Sequence, residues 1–291
     1  MDFSDLLQKK EIDPEHVLVL RHRPFEPELN KILPWFAAER PDVFNAYQQA
    51  QGEKLERAMM DAKYIASFIG HKPAKALFVG LYLINGSKPI TQEEYWQIPA
   101  NIEMKKFGMK GFTDEDVRPS LQWFDLVVTE FYDSWKGRLV VNWPPPERSW
   151  WRRGHRNNFA IAAILEDSAL IKDIPEWDTM VFKHEQLDSL PTKWRAALSQ
   201  WRGIYYIFDT FDGKAYVGSA YGDDNLLGRW LNYSASGHGG NALLRNRDPK
   251  GFLFSILQRV SPDKEPDKVI KLESTWKDRL HTRAPHGLND N

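Results

Sequence analysis

Residues 203–220 read GIYYIFDTFDGKAYVGSA. Runs rich in isoleucine, tyrosine, phenylalanine and valine flank the pair Asp212-Gly213, and Asp-Gly between such runs is a strong hairpin signal. Two strands are therefore predicted, with Tyr205 on one and Tyr216 on the other. Working outward towards the C-terminus, 226–233 and 242–245 read as helical, GFLFSILQRV at 251–260 as a third strand and 266–280 as a helix. The order β-β-α-α-β-α follows. On the other side, EQLDSLPTKWRAALSQW at 185–201 places Leu187, Leu190, Trp194, Leu198 and Trp201 three or four apart. That spacing predicts one face of a helix. The composition changes there, so the helix is expected to connect an N-terminal domain, 1–184, to a C-terminal domain, 202–291.

The N-terminal part has a different texture. HVLVLRHRP at 16–24 predicts a strand with a polar exit, and 34–63 predicts helical pieces broken at Pro41 and Gly52. ALFVGLYLI at 76–84, WFDLVVTEF at 123–131 and KGRLVVNW at 136–143 predict further strands. The first of these is followed by NGSKP, read as a turn, and the last ends at the prolines 144–146, which cannot donate to a ladder. A mixed, barrel-like β domain with helices around it is predicted, which makes the whole chain α+β.

Composition narrows the chemistry. The 291 residues are 42% hydrophobic and 27% charged, enough apolar material for one large or two ordinary domains and against disorder. There is no cysteine, which removes disulfides, thiolate metal sites and thiol nucleophiles together. With 39 Lys plus Arg against 40 Asp plus Glu, any nucleic-acid surface must be local. No apolar run approaches a membrane span, and the opening MDFSDLLQKK lacks the order of a signal peptide, so a cytoplasmic protein is expected. Nine of the 12 tryptophans precede residue 200.

Within 203–289 stand Tyr205 and Tyr216, then Arg229 and Tyr233 four apart, His238 in a glycine-rich loop, Glu273 and Asn289. Taken singly, each has an ordinary reading: half-buried strand tyrosines, solvated helix charges, a turn-capping histidine, an asparagine in a frayed terminus. Together they suit phosphodiester hydrolysis with one divalent ion held by a carboxylate. An arginine would neutralise the charge developing at phosphorus, and a phenol or imidazole would help to deprotonate water.

In this order the residues resemble the GIY-YIG nuclease domain. Gly203-Ile204-Tyr205 and Tyr216-Val217-Gly218 stand as the two halves of its motif, with valine for the usual isoleucine and the tyrosines eleven positions apart. Arg229 stands where that family has its helix arginine, and Tyr233 where members carry His or Tyr. Glu273 corresponds to the metal-binding glutamate and Asn289 to the asparagine that closes the series. The resemblance implies a small fold with a three-stranded antiparallel sheet flanked by helices, and hydrolysis of DNA with one Mg²⁺, for which Mn²⁺ can substitute. It implies Tyr205 as general base or water-orienting group, Tyr216 assisting it, Arg229 on the scissile phosphate, Glu273 on the metal and Asn289 holding the geometry. His238 stands where homing-type members place a histidine. One active site per chain implies a homodimer or sequential nicks for a double-strand break.

The N-terminal domain is expected to read the DNA. Its basic cluster RSWWRRGHR carries Arg148, Arg152, Arg153 and Arg156 with Trp150, Trp151 and His155 interleaved, arginines for phosphates and guanines and tryptophans for stacking. A solvated basic loop anchored by its tryptophans is the alternative. Arg21 and Arg23 are a second candidate. The aromatic β texture resembles PUA-like or EVE-like barrels, which hold a flipped or modified base, and makes Tyr82, Trp123, Trp135 and Trp143 pocket candidates. The expected function is a restriction or phage-defence endonuclease acting on double-stranded DNA, dependent on 5-methyl- or 5-hydroxymethylcytosine. The alternatives are a repair or mobile-element nuclease of the same type and a DNA-binding protein with a degenerate nuclease domain. No P-loop signature is present, so a motor within this chain is not expected.

Overall fold

The computed structural model describes residues 1–291 apart from 114, 115, 117, 172, 223, 224 and 291. The chain divides into two units, Met1–Lys172 and Asp173–Asn291. The second begins upstream of residue 185 and includes the segment 185–201, whose Leu187, Leu190 and Leu198 are buried in its core.

In the first unit the order is α1 (Phe3–Lys9), β1 (Val17–His22), α2 (Pro27–Glu39), α3 (Pro41–Gln49), α4 (Glu53–Met60), β2 (Tyr64–Gly70), β3 (Lys75–Thr91), α5 (Gln92–Gln97), α6 (Pro99–Lys105), β4 (Ser120–Val128), β5 (Leu139–Asn142), β6 (Trp151–Arg153) and β7 (Ile161–Ile164). Seven strands form one sheet in the order β6-β1-β2-β3-β5-β7, with β4 also on β3. β1 and β2 are parallel, as the helical crossover α2–α4 between them requires. Both faces are covered, which explains the unbroken apolar run of β1. Leu18 and Leu20 enter a core shared with Leu33, Phe36 and Phe44 of the helices, while Val17 and Val19 enter another with Phe3, Phe68 and Phe78.

NGSKP is not a turn. β3 continues through it to Thr91 as a 17-residue strand paired with β4. The turn-forming residues are absorbed by a register shift between Ile84 and Gly86, with Gly86 at φ 147°.

In the second unit the order is β8 (Val181–Lys183), α7 (Thr192–Gln200), β9 (Arg202–Asp209), β10 (Ala215–Ala220), α8 (Asn225–Ser236), β11 (Phe252–Val260) and α9 (Pro266–Arg279). The antiparallel sheet runs β10-β9-β11-β8, the three expected strands plus a short fourth on the edge. The single helix read over 185–201 is two pieces, a 3-10 segment His184–Ser189 and α7, because Pro191 disfavours helical geometry in the residue before it. One face of the sheet packs on a core that includes Leu198, Leu226 and Trp230. The other packs Ile204 and Val217 against Val269 of α9. Among the described residues no helix is long and apolar enough to cross a membrane.

Candidate active site

The hairpin β9–β10 sets the phenols. In its register Gly218 faces Tyr205 and Tyr216 faces Ile207, which leaves the two tyrosines diagonal on one face of the sheet with ring centroids 6.3 Å apart. Tyr233 comes down from α8 onto both, at 6.0 Å from Tyr205 and 5.9 Å from Tyr216. The Tyr205 hydroxyl donates to the Tyr233 oxygen at 3.2 Å.

Glycines make this packing possible. A Cβ at residue 218 would stand 2.4 Å from the Tyr205 oxygen, one at 203 would stand 2.5 Å from the Gln258 carbonyl oxygen, and one at 239 would stand 2.5 Å from the Tyr233 ring. The first two are the glycines of the two tripeptides. The hairpin itself is clamped by Arg247, whose guanidinium meets Asp209 at 2.5 Å and Asp212 at 2.8 Å.

Burial, then the neighbouring phenols, hold the Tyr205 hydroxyl far above the ordinary tyrosine range. Tyr216 is likewise pushed up, mainly by burial. Tyr233 is also raised by burial, but the hydrogen bonds from Tyr205 and Tyr216 and the charge of Arg229 work against that. Tyr205 and Tyr233 are 1% and 2% exposed, whereas Tyr216 is half-buried and is the phenol that reaches solvent. Arg229 lies exposed on α8 one turn before Tyr233, and no ion pair holds it among the described residues.

Glu273 projects from α9. One carboxylate oxygen accepts from the Ser219 hydroxyl of β10, and the other meets the Lys277 ammonium at 2.7 Å. The charges of Glu273 and Lys277 act in opposite senses on Tyr216. Among the described residues no cluster of three or more His, Asp or Glu side chains could hold a metal. What is present is one carboxylate, with a hydroxyl beside one oxygen and the Lys277 ammonium beside the other. That oxygen set fits Mg²⁺, which uses one or two carboxylates and completes its shell with water and phosphate oxygens. It does not fit zinc, which takes three or four protein ligands.

Asn289 is 1% exposed and is no frayed end. Its side-chain oxygen accepts from the Val217 amide at 3.0 Å and its nitrogen donates to the Val217 carbonyl at 2.8 Å. The side chain thus closes the outer edge of β10 between Tyr216 and Gly218. Removing it strands two buried backbone groups. Asn289→Ala is expected to destabilise the protein by about 2–4 kcal/mol, read from denaturant unfolding.

His238 takes no part in the phenol cluster. Its Nδ1 accepts from the Gly240 amide at 2.9 Å, a turn-capping bond, while its neighbour Gly239 packs on Tyr233. Ser219, Lys277 and Arg247 are the members that sequence reasoning missed. Lys277 had one visible signal, its i,i+4 spacing from Glu273.

The basic cluster of the first unit divides. Arg152 is turned inward, with hydrogen bonds to Asn157 at 3.1 Å and to the carbonyls of Pro144 and Pro146, both at 3.0 Å. Arg21 is 2% exposed, bonded to the Glu147 carbonyl and stacked 4.9 Å over Trp143. Arg148, Arg156 and Trp150 remain exposed, Arg153 is half-buried, and Trp151 packs on the core. Arg23 and His155 are also exposed.

The four candidate pocket aromatics do not converge on one cavity. Tyr82 is buried in the sheet beside Gln48, and burial pushes its hydroxyl up to about 12. Trp123 lines a surface cleft with Asn85, Lys88 and Asp125. Trp135 stacks on Tyr132 at 4.5 Å, and Trp143 is 2% exposed with its indole N–H on the Ser149 carbonyl. Near Tyr82 lies a buried polar group that sequence reasoning also missed. Gln48 accepts from Ser67 at 2.5 Å, and His22, held between Phe44 and Tyr47, is kept neutral by burial, which moves its pKa down to about 4.

No protein-family profile matches the chain, and no curated protein is similar enough to match. Among solved structures, it is similar to the one titled "Structure of the Catalytic Domain of Homing Endonuclease I-TevI", with 29% identity over 31% of this chain and 98% of that chain, at a TM-score of 0.26. A score this low establishes no common fold.

Proposed function

We propose that this chain is a Mg²⁺-dependent DNA endonuclease of the GIY-YIG type, most simply a restriction or defence enzyme. The observation that carries the reading is the convergence of Tyr205, Tyr216 and Tyr233 on one hydroxyl network, with Arg229 one turn away and Glu273 within electrostatic reach of Tyr216.

In this reading the exposed Arg229 guanidinium binds the scissile phosphate and stabilises the charge that builds on it. Tyr216, the solvent-reaching phenol, orients the attacking water and, as the phenolate, takes its proton. Tyr205 and Tyr233 hold the Tyr216 ring, so Tyr205 acts behind the reacting atoms. Glu273 holds the ion, with Ser219 fixing the carboxylate; when bound, Mg²⁺ supplies charge neutralisation at the phosphate.

A pH signature follows. The Tyr216 hydroxyl is held up by burial, with Tyr205 on β9, Tyr233 on α8, and Glu273 and Lys277 on α9 facing it, while the charge of Arg229 acts on Tyr205 and Tyr233 behind it. It is protonated at neutral pH, and its phenolate fraction rises tenfold per pH unit. Single-turnover cleavage is expected to climb with a slope of about 1 in log rate from pH 7 to 9, without a plateau. Tyr216→Phe should lower the rate and flatten that slope; an unchanged slope removes the phenol from proton transfer.

The first unit is the proposed reader. The exposed Arg23, Arg148, Arg156 and Trp150 supply phosphate-binding and stacking groups, and a modified cytosine is the proposed target. The test of the whole reading is digestion of unmodified, methylated, hydroxymethylated and glucosylated DNA with and without Mg²⁺ or Mn²⁺, with the ends sequenced. Metal-dependent cutting is the expected result, with preference for DNA carrying modified cytosine. Equal cutting of all substrates would dispose of modification dependence, and no cutting of any would dispose of the nuclease reading.

A further inference from the structure

On α9 the residues Val269, Glu273 and Lys277 stand four apart, one stripe facing the sheet, and Val269 and Lys277 are its buried members. The Lys277 side chain is 7% exposed and that of Glu273 is 17% exposed. Packing alone gives no reason for a lysine there, because lysine is almost never fully buried unless paired. Its ammonium lies 2.7 Å from one oxygen of Glu273, while Ser219 donates to the other. Both oxygens of the proposed metal ligand are therefore engaged, one of them by a full positive charge.

We propose that Lys277 is a positioning residue that occupies the Glu273 carboxylate as a built-in cation, so that a divalent ion must contest it and binds the DNA-free protein weakly. This rests on the reading of Glu273 as the metal ligand. A dication on that carboxylate meets an ammonium within a few ångströms, in a part-buried setting where the repulsion is little screened. No neighbouring cluster of carboxylates is present among the described residues to offset it. The same lysine keeps the carboxylate oriented when no ion is present.

The test is Mn²⁺ titration of the full-length protein without DNA, read by the electron paramagnetic resonance signal of the free ion. Lys277→Met and Lys277→Gln are expected to bind Mn²⁺ at least about tenfold more tightly than the wild type, since a full charge next to the ion has been removed. Lys277→Arg should stay near the wild type, and Glu273→Gln should abolish the site in either background. A purely structural lysine would leave affinity unchanged or weaken it. Neutral variants that stay folded by circular dichroism and bind no more tightly overturn the proposal, as does an absence of Mn²⁺ binding in every variant. Because no DNA is used, a failure of the wild type to cut DNA counts against the nuclease reading and leaves this titration readable.

Discussion

Replacement of Arg229 by alanine is expected to lower DNA cleavage about 10²–10³-fold, the usual effect of removing one preorganised charge-stabilising group. Stability should stay within about 0.5 kcal/mol of the wild type, as for other surface positions. The two halves of this expectation come from one observation. Arg229 is exposed on α8, and among the described residues no ion pair engages it. Among the described residues no partner of opposite charge competes for its guanidinium, which leaves it available to an anion. Its charge reaches inward to Tyr205 and Tyr233, which places it beside the phenols rather than on a distant face. Arg229→Lys should recover only part of the rate, because lysine keeps the charge and loses the two-pronged hydrogen bonding to phosphate. Single-turnover cleavage with thermal unfolding in parallel is the measurement. A rate unchanged in the alanine variant would remove Arg229 from the site.

Glu273 calls for a different substitution. Glu273→Ala would take the carboxylate away from a nearly buried ammonium, and truncating one side of such a pair commonly destabilises by about 3–5 kcal/mol. A dead alanine variant would then report lost folding as much as lost metal. Glu273→Gln keeps the shape and loses less: its amide oxygen can still accept from Lys277 and its NH2 can donate to the Ser219 oxygen, although the counter-charge is gone. It is expected to remove several kcal/mol of metal-supplied stabilisation, about 10³-fold in rate, while DNA binding persists. The double variant Glu273→Gln with Lys277→Met should regain stability without regaining activity. Cleavage by either at the wild-type rate would remove Glu273 from the metal site.

The legible parts of this fold are those specified over a few neighbouring residues. The hairpin 203–220 was readable because alternating strand residues and an Asp-Gly turn act locally, and α9 because Pro266 opens it. β8 was not readable, since three residues carry too little pattern and its pairing with β11 is supplied from seventy residues away. The 185–201 segment misled because leucines three apart suit a 3-10 segment as well as an α-helix. NGSKP misled because the pairing offered by β4 outweighs local turn preference.

For the site, motif order named every member of the phenol cluster together with Arg229, Glu273 and Asn289, but it could not say which way side chains turn. Arg21 and Arg152 look in sequence like the other arginines of their cluster, yet carbonyl oxygens of the 144–147 segment turn both inward. The Ser219, Glu273 and Lys277 contact joins β10 to a helix more than fifty residues later, and nothing local records it.

By itself the sequence determined the residue types, the hairpin and the order of the catalytic candidates, since these follow from short-range propensity and spacing. Tertiary structure alone decided that Tyr216 is the phenol at the surface, that Asn289 seals an edge strand, and that the glutamate carries its own cation. Burial, hydrogen-bond partners and charge proximity depend on which distant segments meet, and a linear pattern does not encode that meeting residue by residue.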